Sequence, residues 1–159
     1  MAKILFIEDD PLILKIYSTR LTADGHEVLT AGNGEDGLNL AQQQIPDLIV
    51  LDIMMPKMDG FTVLTKLREN AQLQKTPVLV YSNLAREDEM RKAKDMGATE
   101  SIIKANISPT EMVGKIKRYV QPDQSQSAQT QPVQTQPPQT QQVQQQQQQK
   151  QPQEQKQQN

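Results

Sequence analysis

Four stretches of this 159-residue chain place polar side chains directly after apolar runs. Glu8, Asp9 and Asp10 follow Ile4-Leu5-Phe6-Ile7, and Asp52 follows Leu48-Ile49-Val50-Leu51. Ser82 closes Val78-Leu79-Val80-Tyr81, and Lys104 follows Ile102-Ile103. If those runs are neighbouring strands, the polar groups converge on one rim. Carboxylates gathered there repel one another: at an effective dielectric near 20, two unit charges ~4 Å apart cost about 4 kcal/mol. The cluster therefore calls for a cation. Carboxylates, backbone carbonyls and water are hard oxygen ligands that suit Mg²⁺, which commonly takes one or two protein carboxylates alongside phosphate oxygens.

The elements that must hold these groups are written in the hydrophobic pattern. Short continuous apolar runs alternate with amphipathic stretches over residues 1–120, the pattern of a parallel sheet covered by helices. Five strands are expected, at residues 3–8, 27–31, 48–52, 78–82 and 101–104. Their unbroken Ile/Leu/Val content implies burial on both faces. Helix starts carry cap chemistry: Asp10 before Pro11, Asn33, Asp59-Gly60, and the capping box Ser108-Pro109-Thr110-Glu111. A charged fourth helix is expected over residues 85–96. Right-handed connections then give a doubly wound α/β fold with five parallel strands and five helices, and ligands bind such sheets outside the carboxyl ends of the strands.

The acids after the first strand, Asp52 with the loop Ile53-Met54-Met55-Pro56-Lys57-Met58-Asp59-Gly60, Ser82, and Lys104 together resemble the receiver domain of bacterial response regulators, over roughly residues 3–119. The resemblance implies a CheY-like, flavodoxin-like fold and a phosphoryl-transfer chemistry that rests on positioning and charge neutralisation. It makes Asp52 the phosphoacceptor for a histidine kinase or phosphotransfer protein. Asp9 would bind Mg²⁺ directly and Glu8 through a water, while Asp52 and the backbone carbonyl of Met54 complete the protein's share. Lys104 would neutralise a phosphoryl oxygen, and Ser82 would donate its hydroxyl to the transferred group and so drive the switch. Asp10 is better read as a helix cap than as a ligand. Lone His26 is expected to be solvated, and Tyr81 to face away from Ser82.

Three positions depart from the family pattern. Asn83 follows Ser82 where a small residue is usual, which predicts altered phosphorylation and dephosphorylation rates that Asn83→Ala would shift. Ser101 stands where the family has an aromatic residue, so the usual aromatic relay is missing. Ala105 replaces the proline after Lys104, which predicts a trans bond, since a cis bond there costs ~3 kcal/mol more.

Composition changes near Val120. Residues 1–120 hold all 7 glycines and 15 Lys+Arg against 17 Asp+Glu, whereas the last 39 residues hold 21 glutamines and half of the 10 prolines. So little apolar surface cannot offset the entropy of ordering a core, and residues 121–159 are expected to be a disordered, Gln/Pro-rich tail. With no cysteine there is no disulfide framework. No stretch approaches the ~20 apolar residues of a membrane helix, so no membrane partner and a cytoplasmic location are expected. A net charge of −2 and the lack of a basic stripe or helix-turn-helix pattern lead us to expect no direct DNA binding.

The expected function is that of a stand-alone response regulator passing its signal to a downstream protein, and not an enzyme turning over an external substrate. A receiver-like docking module that works without phosphorylation is the alternative. An aspartate-nucleophile phosphohydrolase is weaker, because such enzymes usually carry a second aspartate where this chain has Met54.

Overall fold

Ile4 and Phe6 pack to one side of a sheet while Leu5 and Ile7 pack to the other, the alternation that a strand covered on both faces requires. The computed structural model describes residues 1–83 and 86–121. The expected tail beyond Gln121, and Ala85 at the expected start of the fourth helix, lie outside the described residues.

Five strands form one parallel sheet: β1 Lys3–Ile7, β2 Glu27–Ala31, β3 Leu48–Leu51, β4 Val78–Ser82 and β5 Glu100–Ile103. Their order is β2-β1-β3-β4-β5, so the chain reverses direction across the sheet between β1 and β3. Five α-helices connect and follow them: α1 Pro11–Ala23, α2 Gly34–Gln44, α3 Gly60–Glu69, α4 Glu87–Asp95 and α5 Pro109–Val120. Tyr17, Leu21, Met112, Val113 and Ile116 of α1 and α5 cover the face that carries Ile4, Phe6, Val50 and Leu79. Leu38, Val63, Leu64, Leu67 and Ala93 of α2, α3 and α4 cover the other. The doubly wound α/β expectation is thus the observed fold.

Four strand bounds, in three strands, differ by one residue from the pattern-based ones. β1 and β3 stop at Ile7 and Leu51, yet Glu8 and Asp52 keep their backbone N–H bonds to Ala31 O (3.0 Å) and Ile7 O (2.9 Å). Both acids therefore still sit at the sheet's carboxyl rim. β5 begins at Glu100 and ends at Ile103, because Lys104 opens a short 3₁₀ turn, Lys104–Asn106.

The expected caps form. Asn33 accepts from the Asp36 N–H, Asp59 from the Thr62 N–H, and Ser108 with Glu111 makes the reciprocal capping box. α4 is shorter than expected, with Arg86 before it making no side-chain cap. Its acids Glu87, Asp88 and Glu89 lie in the first turn and Lys92 and Lys94 in the last, the arrangement the helix dipole favours. Among the described residues no helix is long and apolar enough to cross a membrane.

Candidate functional site

Asp52 emerges from the central strand of the sheet and is only 5% exposed. Its Oδ1 accepts from the Ser82 hydroxyl at 2.7 Å and from the Met54 N–H at 3.0 Å. Its Oδ2 accepts from Lys104 Nζ at 2.5 Å. Three chain segments thus meet on one carboxylate because β3, β4 and β5 are consecutive in the sheet.

Lys104 also pairs with Glu8 Oε2 at 2.6 Å, while the Asp10 N–H donates to Glu8 Oε1 at 3.2 Å. The contact with Oε2 is an ion pair and not an aligned hydrogen bond. Glu8 is 2% exposed. Burial pushes its carboxyl up, the hydrogen-bonding reach of Lys104 pulls it down, the negative charge of Asp52 pushes it up again, and the net direction is upward. Burial alone would push the Lys104 ammonium down, but Asp52 and Glu8 outweigh it and hold the group above its ordinary value. The lysine is a firm cation between two carboxylates.

Asp9 is exposed, and one carboxylate oxygen from each of Glu8, Asp9 and Asp52 lies within 4.8 Å of the others. Three acids face one lysine, leaving an excess of negative charge on hard oxygen donors, and this donor set fits Mg²⁺. Met54 enters the site through its backbone, with its side chain largely exposed. Asp10 caps α1, accepting from Leu12 N–H at 2.8 Å and Ile13 N–H at 3.3 Å.

The departures have clear positions. Asn83 is exposed directly after buried Ser82. No peptide bond among the described residues is cis, so Lys104–Ala105 is trans as expected. Ser101 leaves a buried Oγ without a partner, beside an open groove of about 600 Å³ between β5 and α5. His26 contradicts its expected exposure: it is buried, and its Nδ1 accepts from the Ala2 N–H at 3.4 Å. The turn after Gly25 folds the ring under the chain's start, where Glu27 N–H bonds Ala2 O at 2.9 Å.

Sequence reasoning did not find three features of this site. The direct Glu8–Lys104 pair was one, since Glu8 was expected to act through water. A second is Gly60, where a Cβ would stand 2.3 Å from the Asp52 carbonyl oxygen. The dipeptide Asp59-Gly60 was the available signal. The third is Tyr81, whose hydroxyl meets that of Tyr17 at 2.8 Å on the α1 side of the sheet. Its ring faces away from Ser82 as strand alternation requires, but Lys104 Nζ lies 5.5 Å from the ring centroid.

The family model described as the response regulator receiver domain matches residues 4–117. The probable transcriptional regulator ycf27 of Guillardia theta is 36% identical over 115 residues, which cover 72% of this chain and 44% of that protein. The DNA-binding dual master transcriptional regulator RpaA of Synechocystis sp. is 38% identical over 117 residues, covering 74% of this chain and 48% of its own. The chain therefore spans less than half the length of these curated relatives. Among solved structures, the chemotaxis protein CheY4 of Vibrio cholerae superposes with a TM-score of 0.70 at 31% identity, covering 76% of this chain and 99% of that one.

These relatives correct one expectation. Absence of direct DNA binding was argued from near-neutral charge and the lack of a basic stripe, but proteins this similar are transcriptional regulators, one of them named as DNA-binding. Net charge does not separate a signalling domain from the DNA-binding protein it belongs to, so the expectation is withdrawn.

Proposed function

From the premise that this chain belongs to the response regulator receiver family, we propose that it accepts a phosphoryl group on Asp52 from a histidine kinase or phosphotransfer protein and signals through the resulting change of surface. The observation that carries this reading is the convergence of Ser82, Lys104 and the Met54 N–H on the Asp52 carboxylate, with Glu8 and Asp9 alongside.

In the proposed step a carboxylate oxygen of Asp52 attacks the phosphorus of a phosphohistidine. The new O–P bond forms as the P–N bond breaks, and the imidazole leaves with the bonding electron pair and takes up a proton. Asp9, Asp52 and the Met54 carbonyl would hold Mg²⁺, with Glu8 supporting it, and the bound ion supplies charge neutralisation to the phosphoryl oxygens. The chain's own residues do the rest. Lys104 leaves its carboxylate partners to neutralise a phosphoryl oxygen, and Ser82 moves its hydroxyl from Oδ1 to the new group. The Met54 N–H keeps the carboxylate oriented.

We place this activity in the cytoplasm, as relay chemistry and not as turnover of an external substrate. Output to a downstream protein is part of the proposal. Transcriptional activity, named for relatives more than twice as long as the matched segment, is tested separately by gel shift of labelled DNA with the full chain. The phosphoacceptor assignment is tested by incubating wild type and Asp52→Asn with acetyl phosphate and Mg²⁺, then measuring intact mass. One added phosphoryl group confined to the wild type is the expected result. No addition to either protein returns the function to phosphorylation-independent docking.

A further inference from the structure

Tyr81 precedes Ser82 on β4 and points into the opposite layer, yet the side chain of Lys104 reaches from the end of β5 across β4 to Asp52, directly after β3. That path brings the ammonium over the Tyr81 ring, 5.5 Å from its centroid. Tyr81 is only 6% exposed. Its hydroxyl is joined to that of Tyr17 at 2.8 Å, and the two rings meet edge to face at 89° with centroids 5.7 Å apart. Tyr17 in turn stacks on Phe6 of β1, at 5.2 Å and 12°. Burial, with the hydrogen bond to Tyr81 adding to it, pushes the Tyr17 hydroxyl well above its ordinary value.

We propose that Tyr81 is a positioning residue for Lys104: its ring, fixed by Tyr17 and Phe6, is an aromatic floor along which the ammonium passes from Glu8 and Asp52 to the phosphoryl oxygens. The negative face of an aromatic ring attracts a cation within about 6 Å of its centroid, more strongly where water is excluded. Lys104's side chain is 10% exposed, so this contact is largely desolvated. When the carboxylates turn to a metal and a phosphoryl group, the ring is the partner that the lysine retains. A flexible four-carbon stem held over a rigid face also loses fewer conformers at the moment of transfer.

The rate consequence rests on the phosphoacceptor reading, whereas the contact itself does not, so the test has two arms. In the first, the side-chain methylene protons of Lys104 are assigned by NMR in the full chain. Wild type and Tyr81→Phe are expected to show them shifted upfield by the ring current, and Tyr81→Leu is expected to lose the shift. An unshifted wild type overturns the proposal. In the second, the initial rate of phosphorylation by acetyl phosphate and Mg²⁺ is compared among variants shown by circular dichroism to be folded. Tyr81→Leu is expected to slow it by roughly 2–30-fold, the span from an exposed to a desolvated cation–π contact, with Tyr81→Phe restoring most of the loss. If Tyr81→Leu fails to fold, Tyr81→Met replaces it as a closer match in length. A folded Leu or Met variant that loses the shift but reacts at the wild-type rate also overturns the positioning role. A wild type that shows the upfield shift but takes no phosphoryl group refutes the phosphoacceptor reading and leaves the Lys104–Tyr81 contact established.

Discussion

Ser82 and Asp52, at the carboxyl ends of adjacent strands of the sheet, are joined by a 2.7 Å hydrogen bond between a hydroxyl with no exposed surface and a carboxylate that is 5% exposed. The Met54 N–H shares the same oxygen. The orientation of the Asp52 carboxylate is therefore set by the fold before any donor arrives, which is the preorganisation that the proposed transfer, a step governed by positioning, needs.

Ser82→Ala removes one charge-assisted hydrogen bond from this buried carboxylate. The expected cost is about 1.5–3 kcal/mol, read as a lower urea midpoint with unchanged slope. Slower phosphorylation of the folded variant should accompany it. A midpoint equal to wild type would mean that water replaces the hydroxyl without loss.

Lys104→Met leaves Glu8 and Asp52 buried without their common cation. Removing one member of a buried ion pair typically costs about 3–5 kcal/mol. Part of that loss should return on adding Mg²⁺, since a ligand that binds only the folded state stabilises it by mass action. Urea titrations of the variant with and without the metal check both statements, and a metal-insensitive variant contradicts the second.

Asp9→Asn is expected to act in the opposite direction. Asp9 is the exposed member of a carboxylate cluster that one lysine does not balance. Removing its charge should raise stability in metal-free buffer by on the order of 1 kcal/mol, an estimate from partly screened repulsion. The stabilisation that Mg²⁺ gives the wild type should disappear. A variant less stable than wild type without metal would show that Asp9 has structural partners outside the cluster.

The apolar runs and the cap residues were enough to place all five strands, the sheet class and the rim on which Asp9, Asp52, Ser82 and Lys104 meet. Each of those features depends on period and on the order of segments, which a linear sequence carries directly. The Glu8–Lys104 pair and the Tyr17–Tyr81 hydroxyl contact were not legible. Pattern tells which face a side chain takes, not which atoms from distant strands come within bonding distance. His26 was misplaced for the same reason: an imidazole next to a turn glycine looks exposed until the Ala2 backbone folds against it. The DNA expectation failed on different grounds, because charge and the lack of a basic stripe were used to exclude an activity for which relatives of this similarity are named.

Gly60 offers a check on how tightly Asp52 is held. A Cβ there would lie 2.3 Å from the Asp52 carbonyl oxygen and 2.7 Å from the Ile53 Cα, backbone atoms that cannot swing aside. Gly60→Ala should cost roughly 1–3 kcal/mol, as overpacking generally does, and should slow phosphorylation by moving Asp52. Full stability and rate in this variant would show that the start of α3 shifts freely.

Glu100, at the start of β5, carries a prediction about pH. Burial pushes its carboxyl up, but hydrogen bonds from Lys115 and Tyr119, together with the charge of Lys115, outweigh burial and hold it below its ordinary value of 4.5. The folded state therefore binds this proton less readily than the unfolded chain does. Its contribution is fully present above the ordinary carboxylate value and is lost as pH falls through the lower, folded-state value. Glu100→Gln keeps the shape and removes the charge. Its urea midpoint should be below that of wild type at neutral pH, and the gap should narrow as pH drops below 4.5. A gap that stays constant through that window would assign the effect of Glu100 to packing between β5 and α5, and not to its charge.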